Sequence, residues 1–222
     1  MIDACIEAGI KRLIPSEFSS NLEAKAKETQ LPIVLEKLKI RKYLEEVAAA
    51  GKIEWSSINN GPFFDLGIQY GFLGPNIQRK TATYHDGGNI PVCTTSTFDI
   101  AAAVPKVLEH ADTTRNRSNY IYSAAVTEQQ MTRVVSKVTG IEFEVQHADV
   151  QKEAREYLEL VKKAGGEVEG KDQWKKFSLY MLMMYGEGYG GDYRDVAANE
   201  ALGLRVMDEK EIEESIRGWL GK

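Results

Sequence analysis

The chain has 222 residues, 43% hydrophobic and 27% charged, with a formal net charge of −5. That balance describes an ordinary globular protein with one substantial core or one and a half small domains. Acidic and basic residues are interspersed, so no basic face offers a direct grip on nucleic acid, and no run is long and apolar enough to span a membrane.

In chain order, Ile2 to Gly9 reads as the last two turns of a helix, with Gly9 placed as its C-terminal cap. Cys5 falls on the apolar phase of that helix, which predicts a buried structural thiol. Cys93, the second cysteine, forms no C-x-x-C pair with it, and the three histidines add no metal-ligand cluster. No secretory signal is visible at the N-terminus, two isolated thiols suit a reducing compartment, and a cytoplasmic location is expected. Asn116-Arg117-Ser118 is a formal glycosylation sequon and, without a signal, is read as an accident.

Arg12-Leu13-Ile14 is a short strand stopped by Pro15. Residues 33–50 form an amphipathic helix, and 53–59 a second strand. Strand, helix and strand make a βαβ unit, which implies parallel pairing. Residues 60–97 are loop-rich, punctuated by Gly61-Pro62, Gly74-Pro75 and Gly87-Gly88. A short strand at Val92 to Thr95 precedes a helix from Asp99 to His110, with Asp99 placed to cap it. Asn119 to Ser123 is a strand. Thr127 caps a helix that ends at Gly140, followed by a strand over 141–147 and a helix over 150–164. A loop at 165–170, a Leu- and Met-rich helix at 172–185 and a Gly- and Tyr-rich loop at 186–193 come next. Helices near 195–202 and 208–219 close the chain. There is no internal repeat.

Gly186-Glu187-Gly188-Tyr189-Gly190-Gly191 satisfies the G-x-G-x-x-G pattern of dinucleotide cradles literally. That pattern works between a strand and a helix. Here it follows Tyr180-Met181-Leu182-Met183-Met184-Tyr185, a helix-forming run without β-branched residues, so the favoured reading is a structural loop after a helix.

Helix 33–50 carries the most informative local signal. Its apolar stripe runs Ile33, Ile40, Leu44, Val47 and Ala48, with Lys37 in the middle, Arg41 on the border, and Lys39 and Lys42 pointing to water. Lys37 either snorkels past the edge of the stripe or faces a cleft, partly desolvated. The second state suits proton transfer near neutral pH; periodicity gives the two readings equal weight. Pro15-Ser16-Glu17-Phe18 and Asn59-Asn60-Gly61 end successive strands at one edge of the sheet, the edge where open parallel sheets bind ligands.

These residues also carry a family resemblance. Ala8-Gly9-Ile10-Lys11-Arg12-Leu13-Ile14-Pro15-Ser16-Glu17-Phe18 resembles the AGVKRFIPSEFG signature of NmrA-like and isoflavone-reductase-like proteins. Lys37-Leu38-Lys39-Ile40-Arg41-Lys42 is similar to their K-x-K-(I/V)-R-(R/K) helix. Asn60 to Asp65, Thr94-Thr95 through Asp99-Ile100-Ala101, and Thr127 to Gly140 resemble further family segments, and Gly188 to Tyr193 resembles the fungal branch. The similarity covers nearly the whole chain.

The resemblance implies an atypical short-chain dehydrogenase/reductase: an α/β Rossmann-like parallel sheet with a smaller C-terminal α+β substrate domain. Residues 1–60, with returning segments near 92–124, would be cofactor-side, and 61–222 mainly substrate-side. It implies NADP (NADPH) as cofactor and a small organic, aromatic or enone-like molecule as substrate. It makes Lys37 the general acid or base and Ser16, Glu17, Phe18, Asn60 and Gly61 cofactor-side residues. Phe63, Phe64 and Tyr189 are weaker substrate-side candidates. Nucleic acid and membrane are not expected as direct partners.

Departures accompany the match. Family members begin with a strand and a Gly-rich phosphate-binding loop, so the first βαβ units, that loop and the residues that select NADP over NAD are expected to be missing here. Phe18-Ser19 replaces the family's Phe-Gly. A sheet without its first strands would expose an edge and the apolar side of its helices. Three expectations follow: a reductase with Lys37 as proton donor, a non-catalytic NAD(P)-sensing regulator with a protein partner, or an inactive truncated product of a longer reductase-like chain.

Overall fold

A computed structural model describes residues 1–25, 29 and 31–221. Helix α1 (Ile2–Glu7) leads through Gly9, at φ +68°, into strand β1 (Arg12–Leu13). Helix α2 (Leu35–Ala49) then connects β1 to β2 (Glu54–Asn59). The two strands pair in parallel, Arg12 opposite Glu54 and Leu13 opposite Trp55. The expected βαβ unit is therefore present. Strand β6 (Arg117–Tyr120) pairs in parallel on the other side of β2, giving the order β1-β2-β6.

Strand β2 is central, and five of its six residues are buried. Burial on both faces is what helical crossovers impose on a parallel strand. Ile58 packs with Ala103, Val107, Ile121 and Leu202, while Leu44 and Val47 of α2 are buried as well. Each such side chain contributes about 1.5–3 kcal/mol by leaving water.

The rest of the chain builds two further layers. Strand β4 (Thr81–His85) pairs antiparallel with β3 (Pro75–Asn76) and parallel with β8 (Glu144–Ala148). Strand β5 (Val92–Thr94) pairs antiparallel with β7 (Ala124–Val126). As expected, Thr127 caps the next helix, accepting from the Gln130 N–H, and Gly140 ends it in the left-handed region at φ +75°.

Several expectations need correction. The stretch 60–97 holds, besides β3 and β4, helix α3 (Phe64–Tyr70). Asp99 is not the N-cap of the following helix, α4 (Thr97–Glu109); Ser96 is, accepting from the Asp99 N–H. The Asp99 carboxylate instead accepts from the hydroxyls of Ser96, at 3.0 Å, and Ser123. A short helix α5 (Ala111–Thr114) follows. Of the strand expected at 119–123, Asn119 and Tyr120 lie in β6, and the chain leaves the strand before Ile121. The run at 172–185 is a 3₁₀ segment, Gly170–Lys176, ahead of the α-helix that starts at Phe177.

No helix forms at 195–202, where a 3₁₀ turn, Arg194–Val196, precedes a segment tied to β6. Ala198 N donates to Tyr120 O at 2.7 Å, and Asn199 Nδ2 to Tyr122 O at 2.7 Å; those bonds satisfy the local backbone without helix. Cys5 is only partly buried, because α1 buries none of its residues.

The remaining helices are α6 (Glu128–Thr139), α7 (Val150–Ala164), α8 (Phe177–Tyr185) and α9 (Glu209–Trp219), the last opened by an Asp208–Glu211 capping box. Among the described residues no helix is long and apolar enough to cross a membrane.

Candidate active site

The site is assembled where β1 and β2 end. Beyond β1, the Glu17 N–H donates to Pro15 O at 2.8 Å, and Phe18 takes φ +28°, a region non-glycine residues rarely enter. Beyond β2, Gly61 turns at φ +61° and its N–H donates to Ser19 O at 3.2 Å. Asn59 Nδ2 donates to Ser20 O at 3.4 Å. The two strand ends are thus stitched together at the carboxyl edge of the parallel sheet.

Lys37, in the first turn of α2, reaches across to that edge. Its Nζ donates to Ser16 O at 3.3 Å and to Glu17 O. Burial pulls the ammonium below its ordinary pKa, and the Glu17 carboxylate acts in the opposite sense.

Arg41 follows one helical turn later. It is buried, not at the border of the stripe as periodicity suggested, while Ile40 is 47% exposed. The helix is rolled so that Arg41 meets Glu17, its Nε donating to Oε1 at 3.0 Å and its Nη2 to Oε2. Its Nη1 donates to Glu23, and the guanidinium lies 5.3 Å from the centre of the Trp55 ring. A paired carboxylate and an aromatic face make a buried guanidinium tolerable.

Two largely apolar hollows meet at Lys37. One, of about 450 Å³, is lined by Phe18, Gly61, Phe63, Phe72, Tyr180 and Met184 among others. The other, of about 490 Å³, is lined by Leu13, Ile14, Ser16, Glu17, Ile40 and Arg41 among others. Lys37 lines both. A larger hollow of about 680 Å³ lies among Gly9, Lys11, Gly51, Lys52 and Asn116, at the opposite end of these strands, away from the edge where parallel sheets bind ligands.

The structure therefore brings together Lys37, Phe18, Gly61 and Phe63 on one hollow, and Lys37, Ser16 and Glu17 on the other. Asn60 is fully buried; its Nδ2 donates to Gly61 O at 2.8 Å, and its Oδ1 has no partner among the described residues. Phe64 lies in the core with Ile68 and Leu73, and Tyr189 in the cluster between α7 and α8, so neither lines the hollows at Lys37.

Sequence reasoning missed Phe72, Arg41 and the wall supplied by α8 (Phe177, Tyr180, Met181, Met183, Met184). The last was legible in principle: a helix apolar on all sides must be covered all round or border a hollow.

The Gly186–Gly191 loop does follow a helix. A Cβ on Gly191 would sit 1.9 Å from Met184 O, and one on Gly190 2.8 Å from the Ala24 Cβ. Both glycines are there for close packing against the chain itself.

Parallel strands, a helical crossover and a cleft at the carboxyl strand ends define a Rossmann-like α/β fold. Solved structures share it. Leucoanthocyanidin reductase with NADPH from Vitis vinifera superposes with a TM-score of 0.70 at 17% identity, over 100% of this chain and 70% of that one. AtPrR2 with NADP+ and (+)pinoresinol gives 0.70 at 18%, over 98% and 68%. Isoflavone reductase gives 0.66 at 17%, over 97% and 69%.

The NmrA-like family profile matches residues 1–163, and the chain belongs to that family. Oxidoreductase aprR of Aspergillus flavus is 30% identical over 97% of this chain and 71% of its own length. Oxidoreductase poxI of Penicillium oxalicum is 27% identical over 68% of this chain and 49% of its own length. Both of these curated relatives are oxidoreductases by name, and the reductases above share the fold.

Proposed function

We propose that the chain carries the active site of an NAD(P)H-dependent reductase for a small organic substrate, with Lys37 as general acid or base. One observation carries the reading: a partly buried ammonium, held on two carbonyls at the carboxyl edge of the sheet, shared by two apolar hollows. The names of the relatives support it, since reductases with NADPH and NADP+ share the fold.

The residues at the edge fit a nicotinamide ring. Phe18 and Phe63 offer aromatic faces, and Gly61 brings bare backbone to the hollow. The buried Oδ1 of Asn60, unpartnered among the described residues, marks this strand end as short of a donor. Ser16, Glu17, Phe18, Asn60 and Gly61 form the cofactor side in this reading. Residues 1–60 with 92–124 form the cofactor half, and the walls from Phe63, Phe72 and α8 belong to the substrate half.

When bound, the nicotinamide supplies a hydride. The chain supplies the proton and the setting. An ammonium has three N–H groups, and the bonds to Ser16 O and Glu17 O occupy two. The third is directed by that anchoring and would be available to protonate a basic substrate atom placed in the hollow. Burial makes the proton easier to give at neutral pH. Apolar walls exclude water and restrict the substrate to an organic molecule with one polar group at Lys37.

The test is competitive acetylation of the folded protein with acetic anhydride, with and without saturating NADPH, read lysine by lysine by mass spectrometry. NADPH should protect Lys37 and leave the exposed Lys39 and Lys42 reactive. Bound NADPH that leaves Lys37 as reactive as before would contradict the assignment.

A further inference from the structure

Arg41 has no place in the proton transfer just described, yet it is buried to 5% exposure, and its partner Glu17 to 4%. Two cations from successive turns of α2 grip one residue. Lys37 takes the main-chain carbonyl of Glu17, and Arg41 takes both oxygens of its carboxylate. Spacing of four residues puts both side chains on one helix face. The same guanidinium holds Glu23 on its far side and stacks beside Trp55 of β2, so the carboxylate it grips is fixed to the sheet.

We infer that Arg41 is a positioning residue for Lys37, acting through Glu17: its fork fixes the turn whose carbonyls seat the ammonium, and it balances the Glu17 carboxylate. This rests on the reading of Lys37 as the proton-transfer group.

Glu17 favours the protonated lysine. A cation paired with Glu17, as Arg41 is, works in the opposite sense by neutralising that carboxylate. Among the described residues, the other titratable groups on elements bordering Lys37 are Glu23 beyond Arg41, Tyr180 from α8 and the terminal residue Met1 at the second hollow. Glu36 and Lys39 of α2 are exposed and paired with each other. Without Arg41 the lysine should hold its proton more tightly. Without the Glu17 charge it should lose it more easily.

The experiment is the pH dependence of Lys37 acetylation in the folded protein, which needs neither cofactor nor substrate. In Arg41→Gln the midpoint should rise by about one unit, and in Glu17→Gln it should fall by about one unit. The double variant, neutral at both positions, should return close to the wild type. Arg41→Lys, which keeps the charge but loses the fork, should leave the midpoint in place and lower turnover.

Midpoints unmoved in both neutralised variants, with circular dichroism showing them folded, would overturn the inference. Should Arg41→Gln fail to fold, Glu17→Gln decides alone, because its amide oxygen keeps one of the two Arg41 bonds in the same volume. A Lys37→Met variant with full turnover would remove the underlying reading while leaving the charge coupling measurable, so the two failures are separable.

Discussion

The Glu17 carbonyl accepts from the Lys37 ammonium, while the Glu17 carboxylate opposes the effect of burial on that same lysine. Burial is the larger influence, and the lysine sits below its ordinary 10.5. Its protonated form is therefore less favoured in the folded state than in the unfolded one.

A pH dependence follows. Below the folded pKa both states are protonated, and the native state bears the desolvation penalty in full. As pH rises through the folded pKa, the native state releases its proton first and the penalty is relieved, until the unfolded lysine titrates near 10.5. Urea unfolding of the wild type and Lys37→Met across this range should show the wild type gaining stability relative to the variant as pH rises. A difference that is flat or falls with pH would contradict the burial of the charge.

The two cysteines should differ in reactivity. Cys93 is fully buried, and desolvation pushes its thiol up to about 12. Cys5 is partly exposed on α1. The thiolate is the reactive form. Iodoacetamide at pH 8 should therefore modify Cys5 and spare Cys93 until the protein is denatured, as peptide mapping would show.

Gly61 should not tolerate a side chain. A Cβ there would lie 2.3 Å from Cys93 O and 2.8 Å from the Tyr193 hydroxyl oxygen, and its φ of +61° strains any L residue. Gly61→Ala should cost about 1–3 kcal/mol from the backbone conformation alone, with the clash added. Gly9→Ala, at φ +68° with open space around it, should cost less. Chemical denaturation of the two variants checks the order.

Glu128 should be a stability residue. Its carboxylate accepts from the His85 main-chain N–H at 2.6 Å and lies 2.6 Å from His85 Nδ1, both residues being buried. The His85 ring in turn stacks on Tyr185, with ring centres 5.0 Å apart. Glu128→Ala should cost about 1–3 kcal/mol for each donor left unsatisfied. A urea midpoint equal to the wild type's would show that the pair adds nothing.

Much of this architecture was legible in the sequence, because its signals are local. Thr127 and Gly140 bound α6 by side-chain capping and a left-handed turn, both properties of single residues. The β1-α2-β2 unit followed from apolar patterning and Pro15. What escaped depends on contacts distant in sequence. Helix α3 contains Gly67, a poor helix former, which is needed there because a Cβ would meet Leu73 at 2.5 Å. Strand β4 is held by β8, more than sixty residues away. The roll of α2 is set by an ion pair between Arg41 and a strand-end carboxylate, which periodicity within the helix does not encode. At the site, Lys37 was visible from phase and family pattern together, whereas Phe72 and the α8 wall reach it only through tertiary packing.

The most direct test of the central claim is turnover by Lys37→Met. NADPH oxidation would be followed with a panel of small aromatic ketones and enones, alongside NADPH titration of both proteins. Loss of the general acid should lower the rate about 10²–10⁴-fold, with cofactor affinity nearly unchanged. Turnover equal to the wild type's would contradict that claim.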